Sequence, residues 1–252
     1  MTEILRVCNI KKRFGGIVAV NDVSLSIKQG NMVGLIGPNG SGKSTLFNVI
    51  AGVYPPDEGE VFLKNERITG LPAYEIFKRG LVKTSQIPGL FSNMTVLENF
   101  MTPPKNQIGE RLFKAFLHSA WSTQEKSLAK EAAVLLDFLK ILEQGGNLAK
   151  NLSGGQMKLC EIGRGLMGKP TIMLLDEPTA GVAPHLATEI LNMLKKIRNE
   201  FNVTFFIIEH RLEIFLQYID YLYVMHLGKI VFEGKPDEVL SSPLVQEIYL
   251  GR

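Results

Sequence analysis

The sequence is poor in cysteine and has no long apolar run. Its 252 residues include two cysteines, Cys8 and Cys160, which stand far apart; this excludes a disulfide framework and a zinc motif and suits a reducing compartment. Apolar runs such as residues 203–208 are far shorter than the roughly 18 residues that cross a bilayer. The first residues also lack the pattern of a signal peptide, so we expect any membrane-spanning part to belong to another chain.

The charges are nearly balanced as well. The net charge is +3, and the 28 Lys and Arg residues are scattered along the chain. Because proteins that bind nucleic acids usually carry a basic patch or stripe, no nucleic-acid partner is predicted. Hydrophobic residues make up 45% of the chain, which is ordinary for a globular protein of one or two domains.

A glycine-rich segment lies between a predicted buried strand and a predicted helix. It has a glycine, four residues and then Gly-Lys-Ser, a pattern whose free backbone N–H groups turn inward around phosphates. In such a segment the lysine supplies a cation to the β- and γ-phosphates, and the serine supplies a hydroxyl to Mg²⁺. A glycine-rich turn that matches by chance is the alternative, which the flanking strand and helix disfavour. We therefore predict a nucleoside triphosphate site formed by Gly37, Pro38, Asn39, Gly40, Ser41, Gly42, Lys43 and Ser44.

Two adjacent carboxylates follow a second predicted buried strand, at residues 172–175. The strand delivers Asp176 to its carboxyl end, where α/β sheets bind ligands. A carboxylate at that position can hold the Mg²⁺ that bridges the phosphates. Glu177 follows at once, where it could orient and deprotonate a water for attack on the γ-phosphate. The alternative is an ordinary helix N-terminus.

The chain changes character between these motifs. Strands are predicted at residues 61–63 and 81–82 before the change and at 204–208 and 221–225 after it. In between, Thr95 and Glu98 form a capping box that opens a helix. A longer helix is predicted to begin at Ser122, with an apolar stripe that ends at Leu142. We therefore expect a helical block at residues 88–168 inserted into an α/β domain.

A third motif, Leu-Ser-Gly-Gly-Gln, occupies residues 152–156. Ser153 and Gln156 form a capping box, and Gly154 and Gly155 expose the amides of a helix start, which is a second anion-binding surface. Together with residues 37–44 and 172–177, in this order and spacing, the motif resembles the signature of the ATP-binding-cassette (ABC) ATPases, and the resemblance covers nearly the whole chain. It implies an α/β P-loop NTPase fold of the ABC ATPase type, with a mixed sheet core, an N-terminal antiparallel β part and an inserted helical subdomain. Residues 1–252 would form one domain, in which 1–87 and 169–252 are the nucleotide-binding core and 88–168 the helical subdomain.

The resemblance also implies roles for single residues, with ATP and Mg²⁺ as cofactors. Phe14 matches the aromatic residue that stacks on adenine, Gln86 the glutamine loop and His210 the switch histidine. Judged alone, Phe14 could be a core residue, Gln86 is more typical of a solvated loop, and His210 is more typical of a surface or helix-cap position. Lys43, Ser44 and Thr45 would bind phosphates and Mg²⁺, and Gln86 and Asp176 would complete the metal environment. Glu177 would polarise the attacking water, and His210 would hold that water and the γ-phosphate in register.

The family assembles two sites between two head-to-tail cassettes. Since this chain has a single set of motifs, the resemblance implies a second ABC ATPase subunit, identical or different. Ser153 and Gly155 would then contact the γ-phosphate of the ATP bound by that subunit.

Three features narrow the choice within the family: an addition at residues 110–121, the dimer-contact loop at 180–184 and the ending 245–251. They resemble the ATP-binding subunits of branched-chain amino acid importers and, less strongly, the cytoplasmic ATPase of lipopolysaccharide export. This implies an ATPase on the cytoplasmic face of the cell membrane that powers transport through integral membrane permease subunits, with a solute-binding protein. Two departures stand out: Ala183 replaces the usual Asp or Asn, and Met157 and Lys158 replace the usual Gln or Arg pairs.

A loop after Gln86 carries apolar residues, including Leu90 and Phe91. They could fill the junction with the helical block, but the resemblance implies a groove that receives a cytoplasmic helix of a membrane subunit. Two other classes remain as alternatives. A non-transport ABC ATPase of translation or DNA repair would have tandem cassettes, a coiled-coil insertion or a basic patch, and the sequence has none of these. A regulatory ATP-binding module is favoured by Ala183 and opposed by Glu177 and His210.

Overall fold

A computed structural model describes residues 2–110 and 118–250 of the chain. The strands are β1 (Glu3–Phe14), β2 (Ile17–Lys28), β3 (Met32–Ile36), β4 (Glu58–Leu63), β5 (Glu66–Arg67), β6 (Leu81–Lys83), β7 (Ile172–Asp176), β8 (Thr204–Ile208), β9 (Tyr221–His226) and β10 (Lys229–Gly234). The α-helices are α1 (Lys43–Ile50), α2 (Ala73–Lys78), α3 (Val96–Met101), α4 (His118–Phe138), α5 (Gly154–Met167), α6 (Pro184–Phe201), α7 (Leu212–Phe215), α8 (Pro236–Ser241) and α9 (Pro243–Leu250).

The N-terminal strands form an antiparallel sheet in the order β2-β1-β4-β5. On β2, Val23, Leu25 and Ile27 are buried while the residues between them are exposed. Because side chains alternate between the two faces of a strand, this sheet buries one face and leaves the other in solvent. The predicted N-terminal antiparallel part is therefore confirmed.

The second sheet is mixed and has the order β10-β9-β3-β8-β7-β6. All neighbours pair in parallel except β10, which is antiparallel to β9. Every residue of β3, β7 and β8 is buried, as expected for parallel strands that are covered on both faces. The carboxyl ends of these three adjacent strands lie at one edge of the sheet, so the segments that follow them converge there.

The two faces of the mixed sheet belong to different core clusters. Phe206 packs with Phe47 of α1 and with Leu5 of the antiparallel sheet. Its neighbour Phe205 belongs to the cluster on the other side, which includes Phe100 of α3 and reaches the helical region. Successive side chains of β8 point to opposite faces of the mixed sheet. One face therefore packs against the antiparallel sheet and the other against the helical region.

The helical region begins as expected and then departs from the prediction. The capping box of Thr95 and Glu98 at the start of α3 is confirmed. The predicted helix start at Ser122 is wrong, because α4 already includes His118. Within α4, Gln124 Oε1 accepts a hydrogen bond from Ile108 N at 2.7 Å, which ties the helix to the segment before it. Leu142 lies beyond the end of α4 in a 3₁₀ turn and is 47% exposed.

The predicted addition at residues 110–121 falls mostly on 111–117, which lie outside the described residues, as does Gly251 of the predicted C-terminal pattern. The helices α3, α4 and α5 all fall within the predicted helical block, and its limits of 88 and 168 stay a prediction. Within residues 2–110 and 118–250, no helix is both long enough and apolar enough to cross a membrane.

Candidate functional site

The glycine-rich segment joins β3 to α1 at the edge of the sheet where the carboxyl ends of the strands lie. Lys43, the first residue of α1, is buried, and its Nζ donates hydrogen bonds to Gly37 O at 2.7 Å and Pro38 O at 2.9 Å. It also lies 3.4 Å from Ser41 Oγ. The ammonium group therefore sits inside the loop, with the start of α1 beside it. Backbone N–H groups, a helix N-terminus and a cation are the groups with which such loops can bind an anion.

Two glycines of the loop are required by its geometry. Gly37 has φ 152° and Gly42 has φ 104°, conformations that residues with a Cβ rarely adopt. A Cβ on Gly37 would lie 2.0 Å from Met225 O, and one on Gly42 would lie 2.2 Å from Ala19 O. The backbones of β9 and β2 thus lie directly against the loop at these two glycines. A side chain at either position would clash with them and displace the loop.

A hydroxyl and a carboxylate lie beside the loop. Ser44 Oγ donates to Asp176 Oδ1 at 3.4 Å, and Asp176 ends β7 as a buried carboxylate. Burial raises the pKa of Asp176, and Glu177 adds to the effect, while the Ser44 hydrogen bond, Lys83 and Lys43 oppose it. Burial lowers the pKa of Lys43, and Glu177 and Asp176 oppose that shift. Each partner thus favours the charged form of the other.

These two oxygens suit a magnesium ion. Mg²⁺ binds oxygen ligands and is usually held by one or two protein groups, with phosphate and water completing its six ligands. Among the described residues there is no cluster of three or more His, Cys, Asp or Glu that could hold a metal. Ser44 Oγ and Asp176 Oδ1 are thus the two protein oxygens at this position that could hold the ion.

Glu177 has an unusual backbone and two polar partners. Its φ is 51°, a left-handed conformation that a non-glycine residue adopts at a cost and that clusters at functional sites. Its Oε2 accepts a hydrogen bond from Gln86 Nε2 at 3.0 Å, and its Oε1 lies 3.0 Å from His210 Nε2. The structure therefore brings together three residues that are distant in sequence.

The Leu-Ser-Gly-Gly-Gln motif lies elsewhere on this chain. The predicted capping box is confirmed, since Ser153 N donates to Gln156 Oε1 at 2.9 Å and Gln156 N donates to Ser153 Oγ at 3.4 Å. Ser153 and Gly154 are exposed. In the described part of the chain, no hydrogen bond joins this motif to residues 37–45. Ser153, Gly155 and Gln156 instead line a cleft of about 700 Å³ between α5 and α6.

The remaining predicted binding residues lie on α1, in the glycine-rich loop and at the end of β1. Thr45 follows Ser44 on α1 and is half-buried, while Asn39 and Gly40 are exposed at the tip of the loop. Phe14 ends β1 and is 43% exposed. Its ring packs edge-on against Tyr54 with centroids 5.3 Å apart, and Lys12 Nζ lies 5.5 Å from its centroid. An exposed face of Phe14 is thus available to an aromatic ligand.

Three buried charged residues have structural roles that the sequence did not predict. Glu209 is 2% exposed, and its carboxylate accepts hydrogen bonds from Thr179 N at 2.8 Å, Thr179 Oγ1 at 2.6 Å and His210 N at 3.1 Å. It ties the turn after Glu177 to the end of β8. Lys158 and Glu161 are also buried. Each of the three stands next to apolar residues in the sequence, and this is the signal that could have indicated their burial.

Ala183 is the N-cap of α6, and its side chain makes no capping hydrogen bond. Because Asn at an N-cap accepts a backbone N–H that Ala leaves unpaired, Ala183→Asn should raise the free energy of unfolding by about 1 kcal/mol. The measurement is urea unfolding without nucleotide. Ala183→Val, which cannot cap, should give no gain, and equal stability of the Asn and Ala proteins would contradict the prediction.

The comparisons with known proteins agree with this geometry. The profile of the family described as ABC transporter matches residues 20–180. The probable branched-chain amino acid transport ATP-binding protein LivG of Methanocaldococcus jannaschii is 46% identical over 253 residues, which cover 99% of this chain and 98% of that protein. A crystal structure of a nucleotide-free ATP-binding cassette from an ABC transporter has a TM-score of 0.85 at 44% identity and covers 100% of both chains. A dimeric ATP-binding cassette in a post-hydrolysis state, bound to ADP and phosphate, has a TM-score of 0.73 at 27% identity and covers 92% of this chain and 99% of that one.

The fold predicted from the sequence is thereby confirmed, with its mixed sheet, antiparallel part and helical region. The family profile matches more than half of the chain, and the archaeal relative aligns with nearly all of it. The chain therefore belongs to the ABC transporter family, as one of its ATP-binding, ATP-hydrolysing subunits.

Proposed function

We propose that this chain hydrolyses ATP to drive an importer of branched-chain amino acids. It would act on the cytoplasmic face of the membrane as one of two cassettes attached to permease subunits, which receive the solute from a solute-binding protein. One observation carries the proposal. Lys43, Asp176, Glu177, Gln86 and His210 meet at one strand edge, in a chain with near-full-length similarity to a branched-chain amino acid transport ATP-binding protein.

ATP binding begins at the glycine-rich loop. The backbone N–H groups of residues 37–44 and the start of α1 would surround the phosphates. Lys43 Nζ, which here bonds to loop carbonyls, would exchange these partners for β- and γ-phosphate oxygens. Thr45, the next residue on α1, would bind phosphate beside it, and the exposed ring of Phe14 would stack on adenine.

Ser44, Asp176 and Gln86 would hold Mg²⁺. A Mg²⁺ held there would supply positive charge against the negative charge that develops on the phosphates during transfer. Since Gln86 Nε2 donates to Glu177, its carbonyl oxygen is the side-chain atom left for the metal. A cation at this position would also favour the ionised form of Asp176, whose pKa burial raises.

Glu177 would orient the attacking water and take its proton, as a general base does. Both of its carboxylate oxygens have partners here, Gln86 on one and His210 on the other. A water can reach the carboxylate once one of these contacts opens. His210 would then hold the γ-phosphate and the water in register. The Gln86 loop would move when the contact between Gln86 and Glu177 opens or closes, and this movement would be passed to the permease subunits.

The signature motif would complete the site of a second cassette. Among the described residues, nothing requires glycine at 154 or 155, because neither has a positive φ. A Cβ would lie 3.9 Å from Val182 Cγ1 at Gly154 and 3.5 Å from Leu186 Cδ1 at Gly155, which are ordinary contact distances. The absence of a side chain on this helix start therefore suits close approach by an anion from outside the chain.

The loop after Gln86 would receive the permease. Ile87 is 81% exposed and Phe91 is 52% exposed, whereas Leu90 packs against the core and fills the junction with the helical region. The Phe91 ring lies 5.6 Å from the guanidinium carbon of Arg164, which holds it on the surface. Exposed apolar side chains this close to Gln86 suit a helix of a membrane subunit.

Phe91→Asp tests this transport role. The substitution places a charge on the proposed docking surface, outside the phosphate site, so ATP hydrolysis by the isolated protein should stay within about threefold of the original. Copurification with permease subunits should weaken, and uptake of leucine, isoleucine and valine into vesicles should stop, because a buried unpaired charge costs several kcal/mol.

Val134→Asp is the matched control, because Val134 is 72% exposed on α4 and should tolerate the charge without loss of uptake. Normal uptake by the Phe91→Asp complex would move the docking surface elsewhere. If the unsubstituted complex transports other solutes but none of these amino acids, the substrate proposal is wrong.

A further inference from the structure

The signature helix α5 holds the Gln86 loop by its main chain. Three residues spaced one turn apart do so: Lys158 Nζ donates to Gln86 O at 2.5 Å, Glu161 Oε1 accepts from Ser85 N at 3.4 Å and Gly89 N at 3.2 Å, and Arg164 Nη1 donates to Gly89 O at 2.7 Å. Because residues at i, i+3 and i+6 share one helix face, a single surface of α5 grips residues 85–89. The contacts depend on the backbone of the loop rather than on its side chains.

Lys158 differs from the other two because it has a second partner. The same ammonium group donates to Glu177 O at 3.2 Å. It therefore joins α5, the loop that carries Gln86 and the turn that carries Glu177. The side chains of those two residues meet 3.0 Å apart, at Gln86 Nε2 and Glu177 Oε2, directly beside the main-chain atoms that Lys158 holds.

A buried lysine at this position needs compensation, and the site provides it. Lys158 is 5% exposed, and burial lowers its pKa, while the acidic groups Glu161, Glu209, Glu177 and Asp176 oppose that shift. Lysine is almost never fully buried unless it is paired. Here its hydrogen bonds go to two carbonyls and its charge faces the carboxylates of the site, so it serves both to connect and to balance charge.

We propose that Lys158 is a positioning residue for ATP hydrolysis, which holds the main chains of Gln86 and Glu177 at a fixed separation from the signature helix. The two side chains can then change partners during the reaction while their backbones stay in register. Lys158 acts through Glu177 and does not touch the nucleotide. This inference rests on the role proposed for Glu177 as the base.

Lys158→Met tests the inference, since it keeps the length of the side chain and removes the charge and the donors. Loss of a charged hydrogen bond that positions the base should lower kcat about 10- to 100-fold. The KM for ATP and the affinity for a fluorescent ATP analogue should stay within about threefold, because the phosphate loop is untouched. Lys169→Met is the matched control: Lys169 lies on the surface just beyond the end of α5, paired with Glu131, and kcat should not change.

Two further variants separate positioning from general damage. In a Glu177→Gln background the base is already lost, so adding Lys158→Met should not lower kcat further. A double variant whose loss of kcat is the product of the two single losses would overturn the inference. Lys158→Arg keeps a permanent cation with several donors. Its kcat should be at least fivefold higher than that of the Met variant, and this comparison holds even if the Met protein folds poorly. An Arg variant no better than Met, or a Met variant with normal kcat, would equally overturn it. If Glu177→Gln alone hydrolysed ATP normally, the proposed base would fail instead.

Discussion

Glu177→Gln should lower the turnover number for ATP by about 10²- to 10⁴-fold while leaving ATP binding intact. The substitution keeps the shape of the side chain and removes the carboxylate that would take a proton from the attacking water, and losses of this size follow removal of general-base assistance. Lys43 and the glycine-rich loop are unchanged, so the dissociation constant for ATP should stay within a few-fold. Single-turnover hydrolysis and equilibrium nucleotide binding on the same protein measure the two quantities.

This prediction has a simple control and a further consequence. Glu200→Gln makes the same change at an exposed position near the end of α6 and should hydrolyse ATP normally. Because ATP persists in the Glu177→Gln protein, two cassettes should remain joined around it and separate when ATP is removed, as size-exclusion chromatography would show. Hydrolysis at the original rate would refute the role of Glu177.

Gly154→Asp should abolish the activity of the cassette pair without unfolding the single chain. Gly154 is the exposed first residue of α5, where a carboxylate interacts favourably with the helix dipole, so the free energy of unfolding should not fall. In a head-to-tail pair the same carboxylate would face the phosphates bound by the other subunit. Like charges brought together cost several kcal/mol, which corresponds to a loss of about 10²-fold or more in hydrolysis.

Gly146→Asp provides the matched control, since Gly146 is exposed and a Cβ there meets no atom within 4 Å. Its specific activity should equal that of the original protein and, like it, should rise with protein concentration as cassettes pair. ATP binding by the Gly154→Asp chain should be normal, because its own glycine-rich loop is intact. Normal hydrolysis by Gly154→Asp, or a specific activity that is independent of concentration, would exclude a composite site.

Local sequence determined the parts of this protein whose physics is local. The glycine-rich segment needs residues without a Cβ at fixed spacing, so its pattern identifies it, and the structure accounts for Gly37 and Gly42 through their φ angles and close contacts. The capping boxes at Thr95 and Ser153 depend on residues three apart, and both are formed. Continuous apolar runs likewise predicted the buried strands β3 and β7, because parallel strands are covered on both faces.

The boundaries of the helices were less predictable. Ser122 has the sequence of a helix start, yet α4 includes His118 and passes through Ser122. Gln124 of the same helix bonds to Ile108, which lies outside it. Leu142 continues the apolar spacing but follows the turn at Lys140, whose φ is 59°. Tertiary contacts and a change in backbone direction decide such limits, and neither is visible in the spacing of apolar residues.

Only the tertiary structure decided which distant groups meet. The order of strands in the mixed sheet brings the carboxyl ends of β6, β7 and β8 to one edge, and so Glu177 meets both Gln86, 91 residues away in sequence, and His210. The same packing buries Lys158, Glu161 and Glu209, three charged residues of types that usually lie on the surface. Sequence specifies the chemistry that each residue carries, whereas burial and proximity come from the packing of the whole chain, and these two set the pKa of Asp176 and the partners of Glu177.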